Sequence, residues 1–243
     1  MEYIDTKESL ASDQDKIKSK YFLHTIYLNF YKQLTPTNVP SGKIIELGSG
    51  GGFAKDIISS LTTSDVIPGP DIDQVFSATK IPFKNNSISA YVMLDVFHHI
   101  KDPKKALSEM YRTLKPKGQI IMVEPWNSLW GHLIYKYLHH EYYNPKSIDW
   151  KVRGHGRMSD SNTALPWIVF QRDQKLFKKL FPNLKIVAIK PHTPFLYLIS
   201  GGLKPIQLCP NFLYPYLKKF EELLSPINHI LGMFVTIKLV KIK

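Results

Sequence analysis

The chain has 243 residues, of which 44% are hydrophobic and 21% charged, with a formal net charge of +12 and one cysteine. Such a composition suits a soluble globular chain long enough to bury a core without covalent staples. The lone Cys209 excludes an intrachain disulfide and a cysteine-rich zinc site, and it fits a reducing, cytoplasmic setting.

Residues 1–20 are charged and lack an apolar core, so no secretory signal is expected. From Lys16 to Leu34 apolar side chains recur at helical spacing: Ile17, Tyr21, Leu28 and Tyr31, with Phe22, Ile26 and Phe30 widening the stripe. Pro36 and Pro40 then break the pattern, which reads as a helical N-terminal cap over residues 1–40 and a linker. Lys43 to Leu47 predicts a buried strand ending in glycines, Phe53 to Ser60 a short helix, and Leu61 to Asp65 a strand. A Pro68-Gly69-Pro70 turn, a brief strand at Gln74 to Phe76 and an Asn85-Asn86 turn follow. Ile88 to Leu94 predicts a strand. Asp102 and Pro103 open a helix to about Leu114, with Asp102 as N-cap and Pro103 at the first helical position. Lys117-Gly118 closes that region, and Gln119 to Val123 is another strand. Strand and helix thus alternate from Lys43 to Glu124, the pattern of a doubly wound, mostly parallel α/β sheet.

Beyond Trp126 the rhythm changes. Residues 127–180 are rich in aromatics and histidine and predict a substrate-side insertion, either a helical lid or an aromatic pocket. His139, His140 and Glu141 are consecutive and cannot all converge from one regular element, so no metal site is expected. Lys185 to Ile189 and Met233 to Lys241 predict closing strands, with Met233, Val235, Ile237 and Leu239 on one face. Between them Leu213, Leu217, Phe220 and Leu224 share a helical face, which packs on the core or docks on an anionic membrane. The longest uncharged apolar run, Thr193 to Leu203, contains Pro194 and is too short to span a bilayer.

In open α/β sheets ligands bind beyond the carboxyl ends of the strands, which singles out Glu46, Asp65, Asp95, His98, His99 and Glu124. The segment Glu46-Leu47-Gly48-Ser49-Gly50-Gly51-Gly52 lies between a strand and a predicted helix, where glycines allow a sharp turn and close approach to a ligand. No Gly-Lys-Ser/Thr follows, so it is not a P-loop. Phe53 stands where the dinucleotide fingerprint needs glycine. The spacing of Glu46, Gly48, Gly50 and Gly52 fits acidic-x-G-x-G-x-G, and a carboxylate there suits a ligand bearing an ammonium and a sulfonium.

Four segments in order, IIELGSGGG, SATKIPF, YVMLDVFHHIKDPKKALSEMYRTLKPKG and QIIMVEP, make the chain resemble the class I S-adenosylmethionine-dependent methyltransferases, in the subgroup acting on quinones and other small molecules. The resemblance covers residues 43–125. It implies a Rossmann-like seven-stranded sheet whose last strand is antiparallel, built as one domain of cap 1–40, cofactor core 41–126, insertion 127–180 and closing segment 181–243. It implies S-adenosylmethionine as cofactor, with Glu46 at the methionine end and Gly48, Ser49, Gly50 and Gly52 beneath it. Asp65 falls to the ribose hydroxyls, with Asp71 and Asp73 as rivals. The family's acidic residue before the LPF-like segment is replaced by Ser77-Ala78, which are left to meet adenine. Asp95 corresponds to the position near the transferred methyl, and His98 or His99 is the candidate general base, with at most one expected to face the site. The acceptor implied is a small or lipid-linked molecule, with peripheral contact to an anionic membrane. The rivals are a nucleic-acid or protein methyltransferase, for which no Asn/Asp-Pro-Pro-Tyr tetrapeptide is present, and a non-catalytic cofactor-binding scaffold protein. No obligate protein partner is expected.

Overall fold

The structure, a computed structural model, describes residues 7–152 and 161–243. The ends of the expected cap (residues 1–6) and part of the expected insertion (residues 153–160) lie outside the described residues.

Two helices, α1 (Lys7–Ser19) and α2 (Tyr21–Leu34), precede the sheet. The single helix expected over Lys16 to Leu34 is therefore divided at Lys20, whose extended backbone starts α2 without a side-chain cap. Instead, the Lys20 ammonium donates to the carbonyls of Gly202 and Lys204 at 2.6 and 2.8 Å, tying the break to a distant loop. The stripe on α2 is also rotated. Phe22, Leu23, Ile26, Phe30, Tyr31 and Leu34 are buried, whereas Tyr21 is exposed.

The sheet contains β1 (Lys43–Leu47), β2 (Leu61–Asp65), β3 (Gln74–Val75), β4 (Ile88–Leu94), β5 (Leu114–Pro125), β6 (Leu184–His192) and β7 (Phe234–Lys241). Their order is β3-β2-β1-β4-β5-β7-β6. Strands β1 to β5 pair in parallel, and β7 runs antiparallel to both β5 and β6. This is the doubly wound seven-stranded sheet expected. Between β1 and β4 the strand order reverses, opening the crevice where such sheets bind ligands.

Both faces of the sheet are covered, so its central strands are apolar throughout and not alternating. Side chains still point alternately to the two faces. On β5, Ile120 and Met122 join the core containing Leu107, Met110 and Phe170, whereas Ile121 and Val123 join that containing Phe22, Phe30 and Tyr135. The first core lies under α3 (Pro103–Thr113), and α4 (Leu129–Tyr137) belongs to the second. Met233 precedes β7 and packs in the second core, away from Val235, Ile237 and Leu239 in the first. The Asp102 carboxylate accepts from Lys105 N at 3.0 Å, with Pro103 inside the helix, as its sequence requires.

The remaining regular elements among the described residues are helical. A turn at Leu165–Trp167 (α5) runs into a π-helical segment, Ile168–Arg172, and α6 (Gln174–Leu180) leads into β6. Short α7 (Leu196–Ser200), α8 (Tyr214–Leu223) and α9 (Asn228–Leu231) then fill the long connection from β6 to β7. That connection starts at the end of β6 and finishes at the start of β7, so it sits at the carboxyl edge of β5, where Pro125 pairs with Phe234.

The helix expected over Phe53 to Ser60 is a single 3₁₀ turn, Ala54–Asp56. Phe53 is drawn inward, its ring 5.1 Å from that of Tyr31 and its N–H donating to the Tyr31 hydroxyl at 3.2 Å. Ser60 then takes a left-handed φ of 60° just before β2 begins.

Candidate active site

A cavity of about 530 Å³ lies at the carboxyl edge of β1, β2 and β4. Glu46 and the whole run from Gly48 to Gly52 line it, as do Asp65, Ser77, Ala78, Asp95 and His99. His98 does not appear in that lining.

The glycine turn is held by its neighbours. Ser49 N donates to Ser64 O at 2.9 Å, and Ser64 N donates back to Ser49 Oγ at 3.2 Å. Gly48 and Gly50 have φ of 68° and 50°, in the left-handed region that costs other residues roughly 1–2 kcal/mol. A Cβ on Gly48 would sit 2.6 Å from Val96 Cγ1, so the glycine also permits close packing of β1's end on the loop after β4. The helix N-terminus expected behind this turn is absent, because only the 3₁₀ turn follows. The turn is covered instead by α1: Gln14 Nε2 donates to Gly52 O at 3.0 Å, and Leu10, Asp13 and Ile17 close the cavity from that side.

Asp65 ends β2 with its carboxylate fixed by backbone: Oδ2 accepts from Gly50 N at 2.9 Å and Oδ1 from Val66 N at 2.6 Å. Its rivals point elsewhere. Asp73 pairs with Lys55 at 2.6 Å and accepts from Thr63 N, and Asp71 accepts from Gln14 Nε2 at 2.9 Å; neither lines the cavity.

Glu46 is 2% exposed, and its Oε2 has no hydrogen-bond partner among the described residues. Burial pushes its carboxyl up to about 7, opposed by a hydrogen bond from Ser49 and reinforced by the charge of Asp65. An acid held this way meets a cation at a cost already met by the fold. The orphaned oxygen belongs to a cavity-lining residue beside the glycine turn and fits the ammonium end of a bound amino acid.

Ser77 Oγ pairs with Thr79 Oγ1 at 2.9 Å, so the SATKIPF segment offers hydroxyl and backbone groups, and no carboxylate, to the cavity. Tyr27 and Tyr31 also line the cavity, and burial raises both phenols above their ordinary range. These two were not foreseen, because their position on α2 shows only a general aromatic stripe.

The loop after β4 separates the two histidines. Asp95 takes a left-handed φ of 61°, and Phe97–His99 forms a 3₁₀ turn. The buried Glu124 carboxylate organises that turn, accepting from Val96 N and Phe97 N at 2.9 and 2.7 Å and contacting His98 Nδ1 at 2.8 Å. On the other side His98 Nε2 lies 3.2 Å from Glu141 Oε2. Burial alone would lower His98, but its two carboxylate partners outweigh this and raise it well above its ordinary value. Enclosed and engaged at both nitrogens, His98 is badly placed as an acceptor's base, contrary to its candidacy above. Burial would likewise raise Glu141, yet its bond to His98 and the nearby histidine charges hold it down to about 2. Sequence reading missed Glu141 because its approach to His98 spans 43 positions.

Residues 46–122 match the model of a family described as "Methyltransferase domain". Over that central third the chain is similar to methyltransferases. Within the curated proteins, the demethylmenaquinone methyltransferase of Paenarthrobacter aurescens is 38% identical over 73 residues, 28% of this chain and 29% of that protein. The ubiquinone/menaquinone biosynthesis C-methyltransferase UbiE of Geotalea daltonii is 27% identical over 127 residues, 43% of this chain and 53% of that protein. The matches therefore span about half, or less, of these relatives. A SAM-dependent methyltransferase of Thermotoga maritima has the same fold with a TM-score of 0.55 at 18% identity, covering 96% of this chain and 99% of that one. Phosphoethanolamine N-methyltransferase 2 of Haemonchus contortus, in complex with S-adenosyl-L-methionine, matches with a TM-score of 0.53 at 16% identity, covering 98% of this chain and 58% of that one.

Proposed function

We propose that this chain transfers a methyl group from S-adenosylmethionine to a small, apolar or lipid-linked acceptor. The observation that carries the reading is the buried Glu46 Oε2, orphaned beside a glycine turn whose other end meets the Asp65 carboxylate. Glu46 would hold the methionine ammonium, Gly48 to Gly52 would lie beneath the cofactor, and Asp65 would accept from the ribose hydroxyls. Ser77 and Ala78 would border adenine. When bound, the cofactor supplies a methyl on a sulfonium that is its own leaving group, so alignment and exclusion of water provide much of the rate. α1, Tyr27 and Tyr31 perform that exclusion. Asp95 and His99, at the end of the cavity reached from β4, would meet the acceptor's polar group.

The nature of the acceptor is supported by α8. This helix buries Tyr214 and Glu221, whose carboxylate accepts from Phe195 N and Leu196 N at 2.6 and 2.7 Å, and leaves Tyr216, Phe220 and Leu223 outward at 71%, 52% and 72% exposure. Tyr214 and Leu217 pack on the core, so the three outward apolar side chains form a second apolar face that water does not favour. Ile206, Leu208 and Phe212 continue the apolar surface, with Lys204, Lys218 and Lys219 in the same stretch. Leu203 of this stretch lines the cavity, so the surface adjoins the site. That combination suits peripheral docking on an anionic bilayer that presents the acceptor. No described helix is long and apolar enough to cross a membrane. The similarity to quinone methyltransferases supports the same acceptor class.

Calorimetry with S-adenosylmethionine, followed by turnover with prenylated quinols and phenols, tests the reading. No binding at millimolar cofactor defeats it, and binding without turnover across the panel reduces it to cofactor binding alone. Flotation with anionic vesicles at low salt tests docking, which fails if the protein stays with the unbound fraction.

A further inference from the structure

The cluster of His98, His99 and Glu141, of which His99 lines the cavity, is not needed to hold the cofactor in the function proposed above. Its ligand atoms all lie within 4.8 Å of one another. His98 Nε2 is 3.2 Å from Glu141 Oε2, and His99 Nε2 is 3.9 Å from Glu141 Oε1. Adjacent ligand atoms around a tetrahedral zinc lie roughly 3.3 Å apart, given metal–ligand bonds of about 2.0–2.1 Å. The 3.2 Å separation therefore matches an edge of such a site.

The surroundings are those of a metal-binding imidazole. His98 meets Glu124 through Nδ1 at 2.8 Å, and Glu124 is itself pinned by two backbone N–H groups. A carboxylate that takes the proton-bearing nitrogen fixes the tautomer and leaves Nε2 as the ligand, the usual outer partner of a zinc-bound histidine. Charge points the same way. Glu124 and His98 are fully buried, Glu141 nearly so, and Asp95 Oδ1 lies 4.0 Å from His98 Nδ1. Three carboxylates thus surround the two imidazoles, and a divalent cation would offset two of their charges. His99 lines the cavity, so an ion here would turn its remaining position toward bound substrate.

We propose that His98, His99 and Glu141 bind a divalent transition cation of the imidazole-preferring class, zinc above all, with Glu124 as the supporting carboxylate. The consecutive run His139-His140-Glu141 is not the ligand set; Glu141 is recruited across the fold to the histidines after β4. On this reading His99 serves as a ligand and not as a free base. The site does not rest on methyl transfer, since zinc binds or fails to bind whether or not the cofactor does.

The test is equilibrium dialysis of the chelator-treated whole protein against zinc chloride, with metal content measured per chain, and in parallel the visible absorption of the cobalt-loaded protein. One equivalent of zinc, an intense tetrahedral cobalt spectrum, and affinity reduced tenfold or more in both Glu141→Gln and His99→Gln are expected. His99 is on the cavity wall, so His99→Gln keeps the test decisive if Glu141→Gln fails to fold, with circular dichroism as the check. A wild type that emerges metal-free overturns the proposal. So does stoichiometric zinc that the folded His99→Gln variant retains with unchanged affinity; the contact between His98 and Glu141 is then a shared proton.

Discussion

Replacing Glu46 by glutamine should stabilise the ligand-free protein while weakening its hold on S-adenosylmethionine. Burial raises the carboxyl from 4.5 to about 7, a rise of about two and a half units. At about 1.4 kcal/mol per unit, the ionised form costs the fold about 3 kcal/mol above neutral pH. The sign follows from proton counting. Between about 4.5 and 7 the folded chain binds a proton at Glu46 that the unfolded chain has released, so this contribution to stability declines as pH rises through that window. Glu46→Gln removes the charge and should be about 2–3 kcal/mol more stable than wild type at pH 8, and close to wild type at pH 5. Urea denaturation at both pH values measures the difference, and comparing variant with wild type cancels every other titrating group. Cofactor affinity should fall about 10- to 100-fold at pH 8, the worth of a charge-assisted hydrogen bond. Near pH 6.5 the wild type should also release a proton on binding, visible as heats that vary with buffer ionisation enthalpy. A Glu46→Gln stability difference that is the same at pH 5 and pH 8 would refute the assignment of a buried, proton-holding carboxyl.

Asp65→Asn keeps one acceptor for Gly50 N but turns its amide NH2 toward Val66 N, so it should cost about 1–3 kcal/mol of stability and weaken S-adenosylmethionine by about tenfold or more in calorimetry. Gly48→Ala meets both a left-handed φ and the Val96 side chain, so its thermal midpoint should fall by an amount equivalent to about 2–3 kcal/mol and cofactor binding should be lost with it. Ser77→Asp restores a carboxylate at the position before the IPF segment; a several-fold gain in affinity for S-adenosylmethionine is expected, and equal or weaker binding would remove Ser77 from the adenine contacts.

The legible part of this chain is local. Glu46 and the spaced glycines are neighbours in sequence because a β-strand and its turn place them within a few residues, and Asp102-Pro103 marks its helix by rules that need no tertiary information. The alternation from Lys43 to Glu124 likewise followed from apolar strands buried on both faces. Pattern reading exceeded its range where chain length and packing compete. The 3₁₀ turn at Ala54–Asp56 replaced a helix because Phe53 is pulled under Tyr31, and α1 and α2 separate at Lys20 because its ammonium is claimed by carbonyls about 180 residues away. The residues proposed for the cofactor's methionine and ribose, Glu46 to Asp65, were thus written in one stretch. The rest was decided by the fold, which closes the glycine turn with α1, turns Tyr216, Phe220 and Leu223 of α8 outward by burying Glu221, and brings Glu124 and Glu141 to opposite nitrogens of His98. Contacts of that kind depend on where whole elements dock against the sheet, and no spacing within the sequence encodes them.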